Sequence, residues 1–210
     1  MKVGTDGVLI GAWANGGRRV LDVGTGTGVI ALMMAQRCPK ARVTAIDMDA
    51  GAVRQARENV AASPFAGRIE VVGERVQDLG RRAAYKGAFE SIVSNPPFFI
   101  GSLEAPDAQR NVARHAVTLS YGDLMAAARQ LLSDDGELSV VVPSDYRRRM
   151  DDAATFAGLF PSRVCAVSTK PDKPAKRYLL AFRKHPCRCV TEVMTVGDET
   201  YRRLTQDFYL

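Results

Sequence analysis

Apolar residues follow two alternating rhythms along this chain. Compact β-branched runs at residues 19–23, 42–46, 68–72 and 89–94 read as buried strands. Helical spacing fills the gaps at 29–35 and again at 50–62, where Val53, Ala56 and Val60 recur three and four residues apart. Ser120-x-x-Asp123 is a capping-box start for a helix carrying Leu124, Leu131 and Leu132. Gly136 is the expected stop of that helix, before a strand over 137–142. This alternation predicts an α/β fold, a parallel sheet covered by helices on both faces. The last two strands, 163–168 and 177–182, break the pattern. Only the segment 170–176 joins them, too short for a helical crossover, so an antiparallel hairpin is expected. No repeat, low-complexity tract or Pro/Gly linker divides residues 1–210, and a single domain is expected.

The turn after the first strand, Asp22-Val23-Gly24-Thr25-Gly26-Thr27-Gly28, carries the first chemistry. Its glycines allow a tight turn with backbone amides pointing from a helix N-terminus at a ligand. A dinucleotide site would read G-x-G-x-x-G. Here the spacing is G-x-G-x-G, and the preceding Asp22 repels a pyrophosphate but attracts an ammonium group. Asp47, ending the second strand, suits the two hydroxyls of a ribose. Together they point to a nucleoside cofactor. The second candidate is Asn95-Pro96-Pro97-Phe98, which leaves the fourth strand at the end where open α/β sheets bind ligands. Two prolines stiffen it, so the Asn95 side chain and the Pro96 carbonyl are held as fixed acceptors for the two hydrogens of a primary amine. Phe98 offers a ring for stacking a planar base. The plain alternative is a rigid turn with an aromatic filling the core.

Composition narrows the partners. The chain is 46% apolar and 25% charged, as ordinary globular proteins are. No apolar run approaches the roughly 18 residues of a membrane span, and the first residues lack a signal peptide's regions. The formal net charge is +6. Its basic residues gather in two places: Arg147-Arg148-Arg149, and the stretch from Lys170 to Arg188, where Asp172 is the single acid. A localised basic face suits a polyanion, and equally a solvated surface. Cys38, Cys165, Cys187 and Cys189 read as reduced thiols. His185, Cys187 and Cys189 alternate and would share one face of a strand, but C-x-C is not the pairing that zinc prefers. No metal site is expected.

These motifs resemble class I S-adenosylmethionine-dependent methyltransferases, a Rossmann-like fold whose seven-stranded, mostly parallel sheet ends in an antiparallel hairpin. Asn95-Pro96-Pro97-Phe98 is similar to the N-P-P-[aromatic] signature of enzymes that methylate exocyclic amines or glutamine amides. Over nearly the whole chain the likeness is closer still. Residues 2–14, 55–64, 113–115 and 207–210 resemble the bacterial tRNA(Val) adenine-N6 methyltransferases, which modify the adenosine 3′ of the anticodon. Members usually carry a leader of some two dozen residues before Lys2, so a truncated start is expected. The resemblance implies S-adenosyl-L-methionine as cofactor, tRNA as partner and a cytoplasmic location, with no membrane, metal or obligate protein partner. It implies cofactor contacts from Lys2, Thr5 and Asp6, from Asp22, Gly24, Thr25, Gly26 and Gly28, from Asp47 and Met48, and from Gln77, Asp78 and Asn95. Thr5 and Asp6 read equally as an N-cap pair for a helix over 8–14. Catalysis falls to Asn95, Pro96, Pro97 and Phe98. RNA contact falls to Phe98, Phe99, Arg110, Arg114 and His115, and to Lys173, Lys176 and Arg177 in the basic hairpin. Other readings stay open: a glutamine-amide methyltransferase acting on a release factor, an rRNA guanine-N2 methyltransferase, and a non-catalytic RNA-binding protein on the same scaffold. An NAD-dependent oxidoreductase is disfavoured by the glycine spacing.

Overall fold

The computed structural model describes residues 4–97 and 119–208. Eight strands form one sheet: β1 (Arg19–Val23), β2 (Arg42–Asp47), β3 (Ile69–Gly73), β4 (Phe89–Ser94), β5 (Leu132–Pro143), β6 (Phe160–Ser168), β7 (Arg177–Arg183) and β8 (Val190–Thr195), in the order β3-β2-β1-β4-β5-β7-β6-β8. The helices are α1 (Thr5–Trp13), α2 (Val29–Arg37), α3 (Ala50–Ala61), α4 (Val76–Arg81), α5 (Tyr121–Leu131), α6 (Arg147–Phe156) and α7 (Glu199–Thr205). β3, β2, β1, β4 and β5 run parallel, and β7 lies antiparallel to both β5 and β6. The expected hairpin is therefore present.

Strand residues alternate between two cores because successive side chains point to opposite faces. Leu21, Ile92, Leu138 and Phe182 pack with Leu79 of α4, Leu124 and Leu131 of α5, and Met150 of α6. Val20, Val43, Val93 and Leu179 pack on the other face with Ile10 of α1, Met34 of α2 and Val60 of α3. Both faces being covered explains why every residue of β4 except Glu90 is buried, Ser91 and Ser94 included. After β3 the chain crosses back over the sheet, so strand order reverses between β1 and β4. Open α/β sheets bind ligands in the crevice that such a reversal leaves at the carboxyl ends.

Three expectations change. The helix from Ser120 ends at Leu131, and Leu132 already pairs with Phe89 in β4. Gly136 is not a helix stop. It sits in the register shift between β4 and β5, where a β-carbon would lie 2.8 Å from the Phe89 carbonyl oxygen, so a bulge demands glycine here. Among the described residues the sheet has eight strands rather than seven, because β8 pairs in parallel with β6 beyond the hairpin. Residues 184–189 are irregular, so His185, Cys187 and Cys189 share no strand face. Among the described residues no His, Cys, Asp and Glu side chains group as a metal site, and no helix is long and apolar enough to cross a membrane.

Candidate functional site

The carboxyl ends of β1, β2, β3 and β4 surround a cavity of about 690 Å³, closed on one side by the start of α5. The glycine loop forms its floor. Gly24, Gly26 and Gly28 take φ values of +71°, +58° and +83°, a left-handed region that side-chain-bearing residues rarely enter. The amides of Gly24 and Thr25 both donate to the Ile46 carbonyl, which fixes the loop against β2. A β-carbon at Gly24 would meet nothing within 4 Å, so the loop backbone faces open space there. Gly24 and Gly26 line the cavity, whereas Thr25 and Gly28 do not. Gly28 instead packs on Ala56 of α3 and caps α2.

Asp22 is fully buried behind this loop and does not line the cavity. Its Oδ2 accepts from the Thr25 hydroxyl at 2.6 Å and from the Ala31 amide at 3.1 Å. Gly28 has no side chain to cap α2, and Asp22 reaches across to do so. The expectation that Asp22 faces a ligand's ammonium group is thus corrected: its carboxylate braces the loop from below. Its Oδ1 has no partner among the described residues. Burial pushes the carboxyl from its ordinary 3.8 up to about 7, against the hydrogen bonds from Thr25 and Ala31, with the Asp47 charge a smaller upward influence.

This arrangement has a pH signature. The folded protein holds the Asp22 proton where the unfolded chain has lost it, so the stability it contributes is full below about pH 4 and drains away as pH rises through 7. Urea unfolding of the ligand-free protein should reveal it. Between about pH 5 and pH 8, wild type should lose on the order of 2 kcal/mol relative to Asp22→Asn. A stability difference independent of pH would rule this out, whatever the fixed packing cost of the amide.

Asp47 lies at the cavity, with Oδ2 accepting from the Gly26 amide at 2.9 Å and Oδ1 from the Asp49 amide at 3.0 Å. Each oxygen keeps a lone pair for a ligand hydroxyl. Met48, Asp49 and Gln77 also line the space. Asp78 does not. Val76 and Leu79 bury one side of α4, which turns Asp78 outward to Arg81 at 3.4 Å. Between β3 and α4 the acid Glu74, the first residue after β3, lines the cavity. Its Oε1 pairs with Arg82 at 2.8 Å, while its buried Oε2 has no partner among the described residues. Sequence reading missed Glu74, although an acid directly beyond a strand's carboxyl end, beside Asp47, was a usable signal.

Beyond β4, Asn95 and Pro97 line the cavity opposite the glycine loop, together with Leu119 and Asp123. The Ser94 hydroxyl donates to the Val23 carbonyl at 2.8 Å and ties the two strand ends together. Pro96 is buried and is not among the lining residues. Lys2, Phe98, Phe99, Arg110, Arg114 and His115 lie outside the described residues. Thr5 and Asp6 fall inside the first turn of α1, whose N-cap is Gly4, so neither caps the helix. Neither lines the cavity. Asp6 accepts from Arg177 Nε with both oxygens, at 3.1 and 2.9 Å, fastening α1 to β7. Asp6, expected at the cofactor, and Arg177, expected at the RNA, thus meet each other in this fold. Lys173 and Lys176 are exposed on the linker between β6 and β7.

Comparison with known proteins agrees with this layout. Residues 4–156 match the family model described as the methyltransferase small domain. The tRNA1(Val) (adenine(37)-N6)-methyltransferase of Phocaeicola vulgatus is 48% identical, over 100% of this chain and 91% of that protein. A namesake in Bacteroides fragilis is 47% identical with the same coverage. Among solved structures, a predicted O-methyltransferase from Agrobacterium tumefaciens superposes with a TM-score of 0.73 at 19% identity, covering 96% of each chain. The fold is that of the Rossmann-like methyltransferases, and the chain belongs to the tRNA1(Val) (adenine(37)-N6)-methyltransferase family.

Proposed function

We propose that the protein transfers a methyl group from S-adenosylmethionine to the N6 amine of adenosine 37 in a valine tRNA, the activity its relatives are named for. The observation that carries this reading is the convergence of Asn95 and Pro97 with the glycine loop and Asp47 on one cavity. The residues present suit the cofactor. Asp47 has lone pairs left for a ribose diol, the space over Gly24 is open, and the orphaned Oε2 of Glu74 is an acceptor awaiting a donor. Gly24, Gly26, Asp47, Met48, Glu74 and Gln77 would hold the nucleoside and its amino-acid tail. When bound, S-adenosylmethionine supplies an electrophilic methyl group on a sulfonium.

The chain's own part is positioning. Asn95 Oδ1 and the Pro96 carbonyl accept the two hydrogens of the adenine amine, which directs its lone pair away from both acceptors. Fixing a nucleophile in this way is worth several kcal/mol of barrier. Pro96 and Pro97 hold the backbone dihedrals, so Asn95 does not have to be ordered at the moment of reaction. The base must leave its stack to enter the cavity. Phe98 completes the motif as a stacking face. Residues 1–210 act as one cytoplasmic domain without a metal or an obligate protein partner.

The test is transfer of labelled methyl from S-adenosylmethionine to total tRNA, followed by nucleoside analysis. N6-methyladenosine confined to a valine tRNA is expected. Label recovered instead in guanosine, or in the glutamine of a release factor, would replace this reading.

A further inference from the structure

The two basic segments of the sequence lie far apart in the chain and meet in the fold. α6 starts just beyond the carboxyl end of β5, bringing Arg147, Arg148 and Arg149 there. β7 runs antiparallel to β5, with Arg177 opposite Pro143, so the linker 170–176 arrives at the same end. The Ser144 amide donates to the Lys176 carbonyl at 3.2 Å and joins the two segments. This is the end of the sheet at which the cavity lies.

Charge at this corner is unspent. Arg147 is occupied, lying over the Tyr178 ring at 4.3 Å and pairing with Asp151 at 3.5 Å. Arg149 lies over Tyr146 at 5.6 Å. Arg148, Lys170, Lys173 and Lys176 are exposed, and among the described residues none of the four has an ion-pair partner. The nearest acids in sequence are Asp145, Asp151 and Asp172, of which Asp151 already pairs with Arg147, with Asp152 next along the helix. The placement also runs against stability. The first turn of α6 holds three arginines and no acid, although the helix dipole disfavours cations at a helix N-terminus. A sequence chosen for stability alone would put acids there. The helix dipole and the side chains together make this corner a positive surface.

Distance completes the case. Neighbouring strands lie about 4.8 Å apart, so the ends of β5, β7 and β6 stand roughly 5–15 Å from the end of β4. That span is roughly one to four base steps along a nucleic-acid helix. We propose that Arg148, Lys170, Lys173 and Lys176 form one phosphate-binding surface, which holds the stem adjoining the target loop while the adenosine enters the cavity. The proposal rests on the tRNA reading above. Lysine ammonium groups read phosphates rather than bases, so this surface gives affinity and register and leaves nucleoside choice to the cavity.

Binding of a valine tRNA transcript by the full chain, measured over a salt series, tests it. The combined Lys170→Gln, Lys173→Gln, Lys176→Gln and Arg148→Gln variant should bind at least about tenfold more weakly at low salt. Its slope of log K against log salt should be shallower by about 3, since each lost phosphate contact removes roughly 0.7–0.9. Titration with S-adenosylhomocysteine should match wild type, and the melting temperature should not fall. Wild-type affinity and slope in the variant would overturn the proposal, as would loss of binding to an acidic protein substrate with tRNA binding unchanged. The two readings separate cleanly. A steep wild-type slope lost in the variant, with no N6-methyladenosine formed, sustains the surface and removes the proposed activity. Methylation with salt-insensitive binding does the reverse.

Discussion

Asn95→Ala lowers kcat by about 10²–10³-fold, while S-adenosylhomocysteine binds as it does to wild type; this is the expected result, and it follows from what alanine removes. The cavity keeps its glycine floor, Asp47 and Glu74, so the nucleoside side of the site is untouched. What disappears is one of the two acceptors proposed to orient the amine. KM for tRNA should change little if the basic surface supplies most of the affinity. Asn95→Asp retains an acceptor at the same place and should recover part of the rate. Equal loss of cofactor binding and transfer in Asn95→Ala would show that Asn95 holds the turn together and does not act on the substrate.

The motif was legible because stiffness is written into the sequence. Pro96 and Pro97 fix their dihedrals locally, and Ser94 ties the end of β4 to β1, so little tertiary information was needed to locate Asn95. The glycine loop was legible for the opposite reason: its three glycines admit the positive φ values that a tight turn requires. Strands buried on both faces are rich in apolar residues, and among the described residues seven of the eight strands were read from that signal. β8 escaped because only Met194 in Val190–Thr195 is buried, leaving no alternation to detect.

Side-chain direction was harder. Whether Asp78 or Glu74 faces the cavity depends on where α4 begins, and a shift of one or two residues turns a helical side chain to the other side. Asp22 was read as facing a ligand because it adjoins the loop in sequence. In the fold it lies under the loop, drawn there by the Ala31 amide nine residues on. Asp6 and Arg177 pair across 171 residues, a contact no local pattern reveals. The same holds for the basic corner. Each segment was visible, but only the antiparallel course of β7 brings the two together.

Glu137→Ala should be the most destabilising single substitution in the sheet's far half. Glu137 is 2% exposed at the amino end of the pairing between β5 and β7. Its Oε1 accepts from Arg163 Nη2 at 2.8 Å, and its Oε2 from Arg183 Nε at 3.1 Å and the Ser162 hydroxyl at 3.0 Å. Arg163 in turn lies over the Trp13 ring at 3.9 Å, and Trp13 Nε1 donates to Glu192 of β8. One carboxylate thus links β5, β6 and β7 and, through Trp13, the end of α1 and the edge strand. Removing it leaves Arg163 largely buried without its counter-charge, at a cost of about 3–5 kcal/mol. Thermal unfolding should fall by roughly 6–20 °C for a chain of this size. The cavity lies at the opposite ends of these strands, so cofactor affinity well below the transition should persist. A double-mutant cycle with Arg163→Met separates coupling from packing. The double variant should be markedly less destabilised than the sum of the singles, because it leaves no buried charge unpaired. Simple additivity would mean that the carboxylate only fills space, and the network would lose its claim to hold the far half of the sheet together.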